Sequence, residues 1–443
     1  MKKFLRISTA IVISHVAVHA QDKSEFTLEE AQKYGIENNL NRKNAALGVD
    51  ESKKVVKETW TIGLPQVNGS ATFQNFIDIP VQIADASFFD ENAEPGTTVP
   101  VQFGTENTAN YGIQANQLLF DGTYIVGLQA SKTFLQLSEE GLEKTDIQIK
   151  DGIALSYYNV LVAEENERII TENVSRLESQ YKELKALHEK GFVEDIEVDQ
   201  LEIIFLDAQK RVETTRRYVQ NAYRTLNFQM GRDINEPLKL SDNLQSIYSK
   251  YDEDALLNKD LNMDEHIDYK MMLTQERIAE LQLKAENASR LPTLSAFFNY
   301  SENAFANSLD LNEWFPTTIV GVQLSVPIFK SFATEHRVAQ RKIQLEKIQN
   351  DKKLMEDNLK LQVSNARTSY VDALEQFQTA RKNMELSEKI LDKTTIKQKN
   401  GLASSLDVTV ANNQYLEGQG NYIQSLFNLL SAKSTLDKAL NNY

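Results

Sequence analysis

Two stretches decide the fold: YGIQANQLLF at residues 111–120 and VGVQLSVPIF at residues 320–329. Each alternates apolar with polar or small residues and then runs straight into a very long helical pattern. The agreement continues in order on either side. Leu64-Pro65 and Leu291-Pro292 head a strand, Tyr158 and Tyr370 lie inside the long helix, and Lys190-Gly191-Phe192 and Asn400-Gly401-Leu402 mark where that helix stops. Self-similarity in fixed order is the mark of a repeated supersecondary unit. The chain is read as two copies of one unit, with residues 21–230 as the first repeat, 231–263 as a linker of short elements and 264–443 as the second repeat. Two intertwined copies are expected rather than independent globules.

The strands carry a period of two. Val67, Gly69, Ala71, Phe73, Ile77 and Ile79 are apolar or small, while Gln66, Asn68, Ser70, Thr72, Gln74 and Asp78 fill the alternate positions. Leu294, Ala296, Phe298 and Tyr300 alternate with Thr293, Ser295 and Asn299, and Val320, Val322, Leu324, Val326 and Ile328 with Gly321, Gln323 and Ser325. Phe76 and Phe297 break the pattern. Strands are expected at about 65–80, 105–121, 292–302 and 317–329, each roughly 10–14 residues, which exceeds the usual soluble strand and suffices for a tilted bilayer crossing. One such strand alone would suit a soluble sandwich. Four of them, each with one apolar face, point to a water-filled barrel with aromatic girdles from Phe88, Phe89, Trp314, Phe315, Trp60 and Tyr124.

Four strands cannot close a barrel, and an open edge in hydrocarbon leaves backbone groups unpaired at several kcal/mol each. The chain must therefore assemble. Two copies give eight strands, about the number at which side chains fill the lumen, and three give twelve, which leaves room for a channel. A trimer is expected.

From Phe332 to Lys399 there is neither Pro nor Gly, and between Thr123 and Glu189 only Gly127, Gly141 and Gly152 interrupt. Unbroken, each stretch would reach about 100 Å at 1.5 Å per residue. Ile170, Val174, Leu177, Tyr181 and Leu184 step by four and three, as do Leu201, Phe205, Ala208, Val212, Thr215, Val219, Ala222 and Leu226 on the return. The second copy repeats this with Tyr370, Ala373, Phe377, Ala380, Met384, Ser387 and Leu391, and with Leu416, Gly420, Ile423, Phe427, Leu430 and Ser434. That period winds helices into left-handed coiled coils. The many small members suit the wall of a wide cylinder. The fold class expected is an α+β membrane protein whose duplicated unit supplies four membrane strands and long coiled-coil helices.

Each helix pair turns at a short tip. Gly191 and Gly401 follow a cationic last turn and read as C-caps; Asp195 and Ser404 or Ser405 read as N-caps of the returning helices. The first 20 residues carry Lys2, Lys3 and Arg6, an apolar stretch from Ile7 to Val18, and Val18-His19-Ala20 before Gln21, the layout of a secretory signal peptide. Its removal takes the net charge from −15 to −18, with 45 cations against 63 anions. Such an acidic chain argues against nucleic acid as a partner. It holds no cysteine, so disulfides contribute nothing to an exported fold.

The Thr27-Leu-Glu-Glu-Ala31 start followed by Glu37-Asn-Asn39, and then, twice over, Leu-Pro before a strand, strand into long helix, and a Gly-hydrophobic tip followed by Glu197-Val198 or Asp407-Val408, resemble the TolC-like outer-membrane efflux protein family. The likeness covers essentially the whole chain after residue 20. It implies an outer-membrane homotrimer, set in outer-membrane lipid. A twelve-stranded barrel would continue into a twelve-helix periplasmic tunnel that joins a periplasmic adaptor (membrane fusion) protein and an inner-membrane transporter, in tripartite efflux or type I secretion. By position after the tip glycine, Asp407 matches a rim aspartate of the family and Glu197 an acidic partner in the other copy. Val410 stands where a second rim acid is expected, and Gln398 and Ala403 occupy positions the family uses for restraining bonds. Glu194 and Asp195 add acidity. The expected gate is a cation-attracting constriction led by Asp407, with its carboxylates raising one another's pKa across the axis; solvated helix ends are the alternative.

Catalytic chemistry has no candidate. The five histidines lie at 15, 19, 188, 266 and 336, without metal-ligand spacing, and neither a phosphate-cradling loop nor a nucleophile turn occurs. No enzyme activity, metal or cofactor is expected. The other class in play is a periplasmic coiled-coil adaptor or scaffold, which shares the export signal and hairpins but needs small soluble β domains beside one hairpin.

Overall fold

The computed structural model describes residues 24–89, 93–249 and 256–442. The expected signal peptide at 1–20 lies outside them. Contacts divide the chain into two compact units, and each draws on both sequence repeats. One comprises 43–145 and 261–362; the other comprises the segments up to Arg42, 146–260 and 363–443.

The first of these units is built on a four-stranded antiparallel sheet. Helix α1 (Leu28–Asn38) belongs to the other unit, and α2 (Leu40–Thr61) leads into strand β2 (Gln66–Asn75). A small hairpin follows, β3 (Val81–Asp85) with β4 (Thr98–Gln102), then the long β5 (Asn107–Phe120). The second copy supplies β7 (Thr293–Ala306) and β8 (Phe315–Ser325). The order is β2-β5-β7-β8, all antiparallel, so β2 and β8 are the edges and the copies meet at β5 and β7. Gln66 pairs with Asn116, Asn116 with Phe297 and Phe297 with Gly321, which fixes one continuous row across the sheet.

Two irregularities of the alternation find their reasons here. Phe76 lies beyond the last paired residue of β2. Phe297 sits on the polar face opposite Gly321, where an added Cβ would come 2.6 Å from the ring, so glycine leaves the aromatic room to lie against the sheet. Strand β8 stops at Ser325, short of the expected 329, because Pro327 cannot donate to a ladder.

Both long helices then start directly. Helix α3 runs over Gly122–Glu189, its first turn held by Asp121, whose Oδ1 accepts from the Thr123 and Tyr124 backbone N–H groups at 2.6 and 3.2 Å. The second copy makes this corner differently. Ser331 and Phe332 take left-handed backbone (φ 48° and 62°) just before its 67-residue helix, Ala333–Lys399. Non-glycine residues adopt that region at a cost. The packing of Phe332 against Phe329, edge to face at 5.7 Å, is the local compensation.

In the other unit α3 turns at Gly191 into α4 (Asp195–Met230). A linker holds β6 (Lys239–Leu240), parallel to β1 (Glu25–Phe26), and the short α5 (Leu244–Ser249). With α6 (Ile267–Ala288) of the sheet-bearing unit counted, the second-copy helices are α7 (Ala333–Lys399) and α8 (Ser405–Ala439). On α4 the seam is the expected one: Leu201, Ala208, Val212, Thr215, Val219, Ala222 and Leu226 are all buried. Leu177 and Leu184 of α3 pack into it together with Val198.

On α8 the expected Leu430 and Ser434 are buried, but nearer the tip the buried stripe is rotated from the expected one. Leu416 and Ile423 are half-buried and Gly420 is exposed, while Val408, Ala411, Asn412, Tyr415, Gln419, Leu426 and Leu429 are buried. Val408, Ala411 and Tyr415 close against Ile169 and Leu391. The glycine of this seam is Gly418, where a Cβ would lie 2.8 Å from Ser387 Oγ; at Gly420 it would meet nothing within 4 Å.

The α3–α8 contact is polar along much of its length. Ser434 Oγ donates to Asp151 at 2.7 Å, Lys438 reaches the same carboxylate at 3.0 Å, and Gln419 Nε2 donates to Asn166 at 3.4 Å. One heptad further toward the tip lie Asn173 on α3 and Asn412 on α8, only 2% and 1% exposed, with no hydrogen bond to either side-chain amide. A polar seam specifies register at a cost in stability.

Candidate functional site

The sheet and the helix tips are the two places where side chains of one character converge. In the sheet, register sorts every residue to a face. Val67, Ala71, Phe73, Tyr111, Ile113, Phe298, Tyr300, Val320, Val322 and Leu324 share one face with Glu302. Val320, Val322 and Leu324 are 77%, 65% and 63% exposed in the single chain, far too much contiguous apolar surface for water. The opposite face carries Gln66, Asn68, Ser70, Thr72, Asn110, Gln114, Asn116, Asn299, Ser301, Asn303, Thr317 and Gln323. Hydrocarbon on one side and water on the other is the only arrangement that suits both rows.

Tyr111 and Trp314 lie together at 4.9 Å on the apolar face near the loop end, and Tyr300 donates to Glu302 at 2.6 Å beside them. Amphipathic aromatics belong at that depth. At the other end of the sheet Tyr124 donates to the Trp60 carbonyl at 3.1 Å. Among the described residues no helix is long and apolar enough to cross a membrane.

At the tips, both glycines close their helices with the same pair of bonds. Gly191 (φ 78°) lets Phe192 N–H donate to Leu187 O at 3.0 Å, and Gly401 (φ 71°) lets Leu402 N–H donate to Lys397 O at 2.8 Å. This is the Schellman closure, which a Cβ disfavours. The returning helices are capped unequally. Ser404 caps α8 in a full capping box, its Oγ accepting from Asp407 N–H at 3.2 Å while Asp407 Oδ2 accepts from Ser404 N–H at 2.8 Å. On α4 the cap position is Glu194, without a side-chain bond, and Asp195 is the first helical residue; the expected Asp195 cap does not form because the helix starts one residue earlier than that cap requires.

Of the expected gate residues, Glu194, Asp195 and Asp407 are exposed and Glu197 is half-buried. Glu197 is the one that joins the two tips: it accepts from Ser405 Oγ, which itself accepts from Gln398 Nε2 at 3.0 Å. Ser405 is the partner that position counting alone did not supply, while Gln398, at a position the family uses for a restraining bond, makes one here. The Asp407 carboxyl is held below its ordinary value, first by the Ser404 backbone N–H and then by its hydroxyl. A lowered carboxyl stabilises the fold above the unfolded-state value of 3.8 and loses that contribution as pH falls through the lower folded value. Ser404→Ala should therefore fray the first turn of α8 at neutral pH, at the cost of about 1 kcal/mol typical of such caps. In the parent chain, acidification well below pH 4 should do the same, read as faster amide exchange at residues 405–408; equal exchange in parent and variant would remove the box from the tip's stability.

A sheet with a lipid row and a water row, two open edges, and strands that feed capped coiled-coil hairpins defines an outer-membrane channel with a helical tunnel. The Outer membrane efflux protein family is matched over residues 268–442. The outer membrane efflux protein BepC of Brucella suis biovar 1 (strain 1330) is 21% identical over 436 residues, covering 97% of this chain and 88% of that protein. Among solved structures, the Campylobacter jejuni CmeC outer membrane channel superposes with a TM-score of 0.68 at 16% identity, covering 93% of this chain and 85% of that one. The Vibrio cholerae outer membrane protein VceC does so with a TM-score of 0.70 at 14% identity, covering 93% and 95%. Residues 268–442 thus match that family, and the chain as a whole shares the fold of the TolC-like outer-membrane channels. It is an outer-membrane duct, and the adaptor alternative is set aside.

Proposed function

We propose that this chain is the exit duct of a tripartite efflux or type I secretion machine, receiving cargo from an inner-membrane transporter through a periplasmic adaptor. The observation that carries this is the pair of unpaired edges, β2 and β8, on a sheet with a lipid-facing row. One protomer cannot seal itself, and three close a twelve-stranded barrel. The helix tips are its periplasmic entrance. There Phe192, Ile196, Leu402 and Leu406 stand exposed beside Glu194, Asp195 and Asp407, an apolar and acidic surface suited to an adaptor. Asp407 leads a cation-attracting rim, with Glu197 holding the neighbouring tip in place.

The full chain should fractionate with the outer membrane as a heat-labile trimer and conduct in planar bilayers; a non-conducting monomer would sink the proposal. Asp407→Asn should weaken cation preference and cation block, and unchanged recordings would remove Asp407 from the rim. Deleting the gene and following both drug sensitivity and secreted protein identifies the cargo route.

A further inference from the structure

We propose that the membrane-spanning passage of this duct is charge-blind: a lining of neutral amides and hydroxyls that admits cations and anions alike and hydrogen-bonds uncharged polar cargo. Charge selection then belongs to the tip carboxylates. The inference rests on the exit-duct reading, since it needs the polar face of the sheet to line water.

Glu302 is the single charged residue in the four long strands, in a chain that is 25% charged overall. It lies on the apolar face, two residues along the strand from the tyrosine that bonds it. The water-facing rows hold only Asn, Gln, Ser, Thr and Gly apart from Phe297, Phe305, Phe315, Ile319 and Leu118. Phe305 and Phe315 pair at 6.4 Å near the loop end, and Phe297 lies against Gly321, so these rings pack on the sheet or each other. Several of the amides already bond laterally, Asn110 to Asn303 at 2.6 Å and Asn303 to Thr317 at 3.3 Å. The row is thus a connected hydrogen-bonding surface whose members can exchange partners with passing solute.

Channels select ions with rings of charge, and low-dielectric walls focus the field of any such ring. Threefold repetition would turn one lumenal carboxylate or lysine into a ring of three, and the water-facing rows of the four strands carry none. Nor does this face offer a carboxylate, imidazole or sulfur to a divalent cation. The barrel therefore neither concentrates nor rejects cargo by charge.

The absence of cysteine makes a clean probe available. Asn299→Cys places one thiol on the water-facing row, with Ser70→Cys as a second position and Val320→Cys on the opposite row. Intact cells carrying the full-length trimer are treated from outside with an anionic and a cationic methanethiosulfonate, each rate normalised to a free small thiol. The expected ratio at Asn299→Cys and Ser70→Cys is about one, whereas a charged lining would separate the reagents by about tenfold or more. A tenfold preference for either reagent overturns the charge-blind passage and leaves the duct intact. Protection of both lining positions with modification of Val320→Cys would overturn the face assignment and the duct reading with it.

Discussion

Val320→Arg is expected to remove the protein from the outer membrane, while Ile319→Arg, one residue away, leaves it there. Both parents are exposed β8 residues of nearly the same chemistry. Register separates them: Val320 pairs with Phe298 on the apolar row, and Ile319 with Asn299 on the amide row. Val320 is also at the middle of its strand, where an arginine facing lipid costs about 2–4 kcal/mol per chain. A trimer carries that cost three times. At Ile319 the guanidinium stays in water. Heat-labile trimer and outer-membrane fractionation read the difference directly, and equal behaviour of the two variants would mean that the sheet does not separate hydrocarbon from water.

Gly231→Ala is the second large effect, and it is one of stability. Gly231 ends α4 in left-handed backbone (φ 78°, ψ 27°), its N–H donating to Asn227 and Phe228 carbonyls. The same residue is pressed against the junction of α1 and α2: a Cβ would lie 2.9 Å from Asn38 O and 3.0 Å from Asn39 Cα. Both obstacles are backbone, so no side chain can swing away. Left-handed alanine costs about 1–2 kcal/mol and overpacking about 1–3 more. The contact is further tied by Asn39 Nδ2 donating to Gln229 O at 2.8 Å. Gly420→Ala, whose Cβ meets nothing in ordinary helical backbone, is the control and should hold or raise stability, by up to about 1 kcal/mol. Thermal unfolding of the detergent-solubilised trimer measures both; a Gly231→Ala chain as stable as its parent would show that this junction yields freely.

How much of this was legible in the residues depends on what each signal competes with. The α4 seam could be read because its buried residues keep the four-and-three step and are nearly all apolar or small, even though Ile203, Leu206 and Phe228 of the same helix stand exposed. On α8 the reading slipped, since apolar residues surround that helix while Asn412, Gln419 and Lys433 lie in its buried stripe. Hydropathy then points away from the true contact face. The tip glycines were readable because only glycine suits left-handed backbone after a cationic last turn. The Glu197–Ser405–Gln398 link was not, since it joins residues whose meeting depends on how two hairpins dock.

Alternation of period two, unbroken helical runs and fixed-order repetition are written in the order of residues along the chain, so the four amphipathic strands, the two long hairpins and the need for partners at the open edges follow from the residues alone. Register, docking and caps are decided by contacts between distant segments. Only the tertiary structure could place Phe297 over Gly321, bury Asn173 and Asn412, and choose Glu194 over Asp195 as the helix cap. A single residue of slip in a strand exchanges its two faces, and no local pattern of polarity fixes that choice for every position.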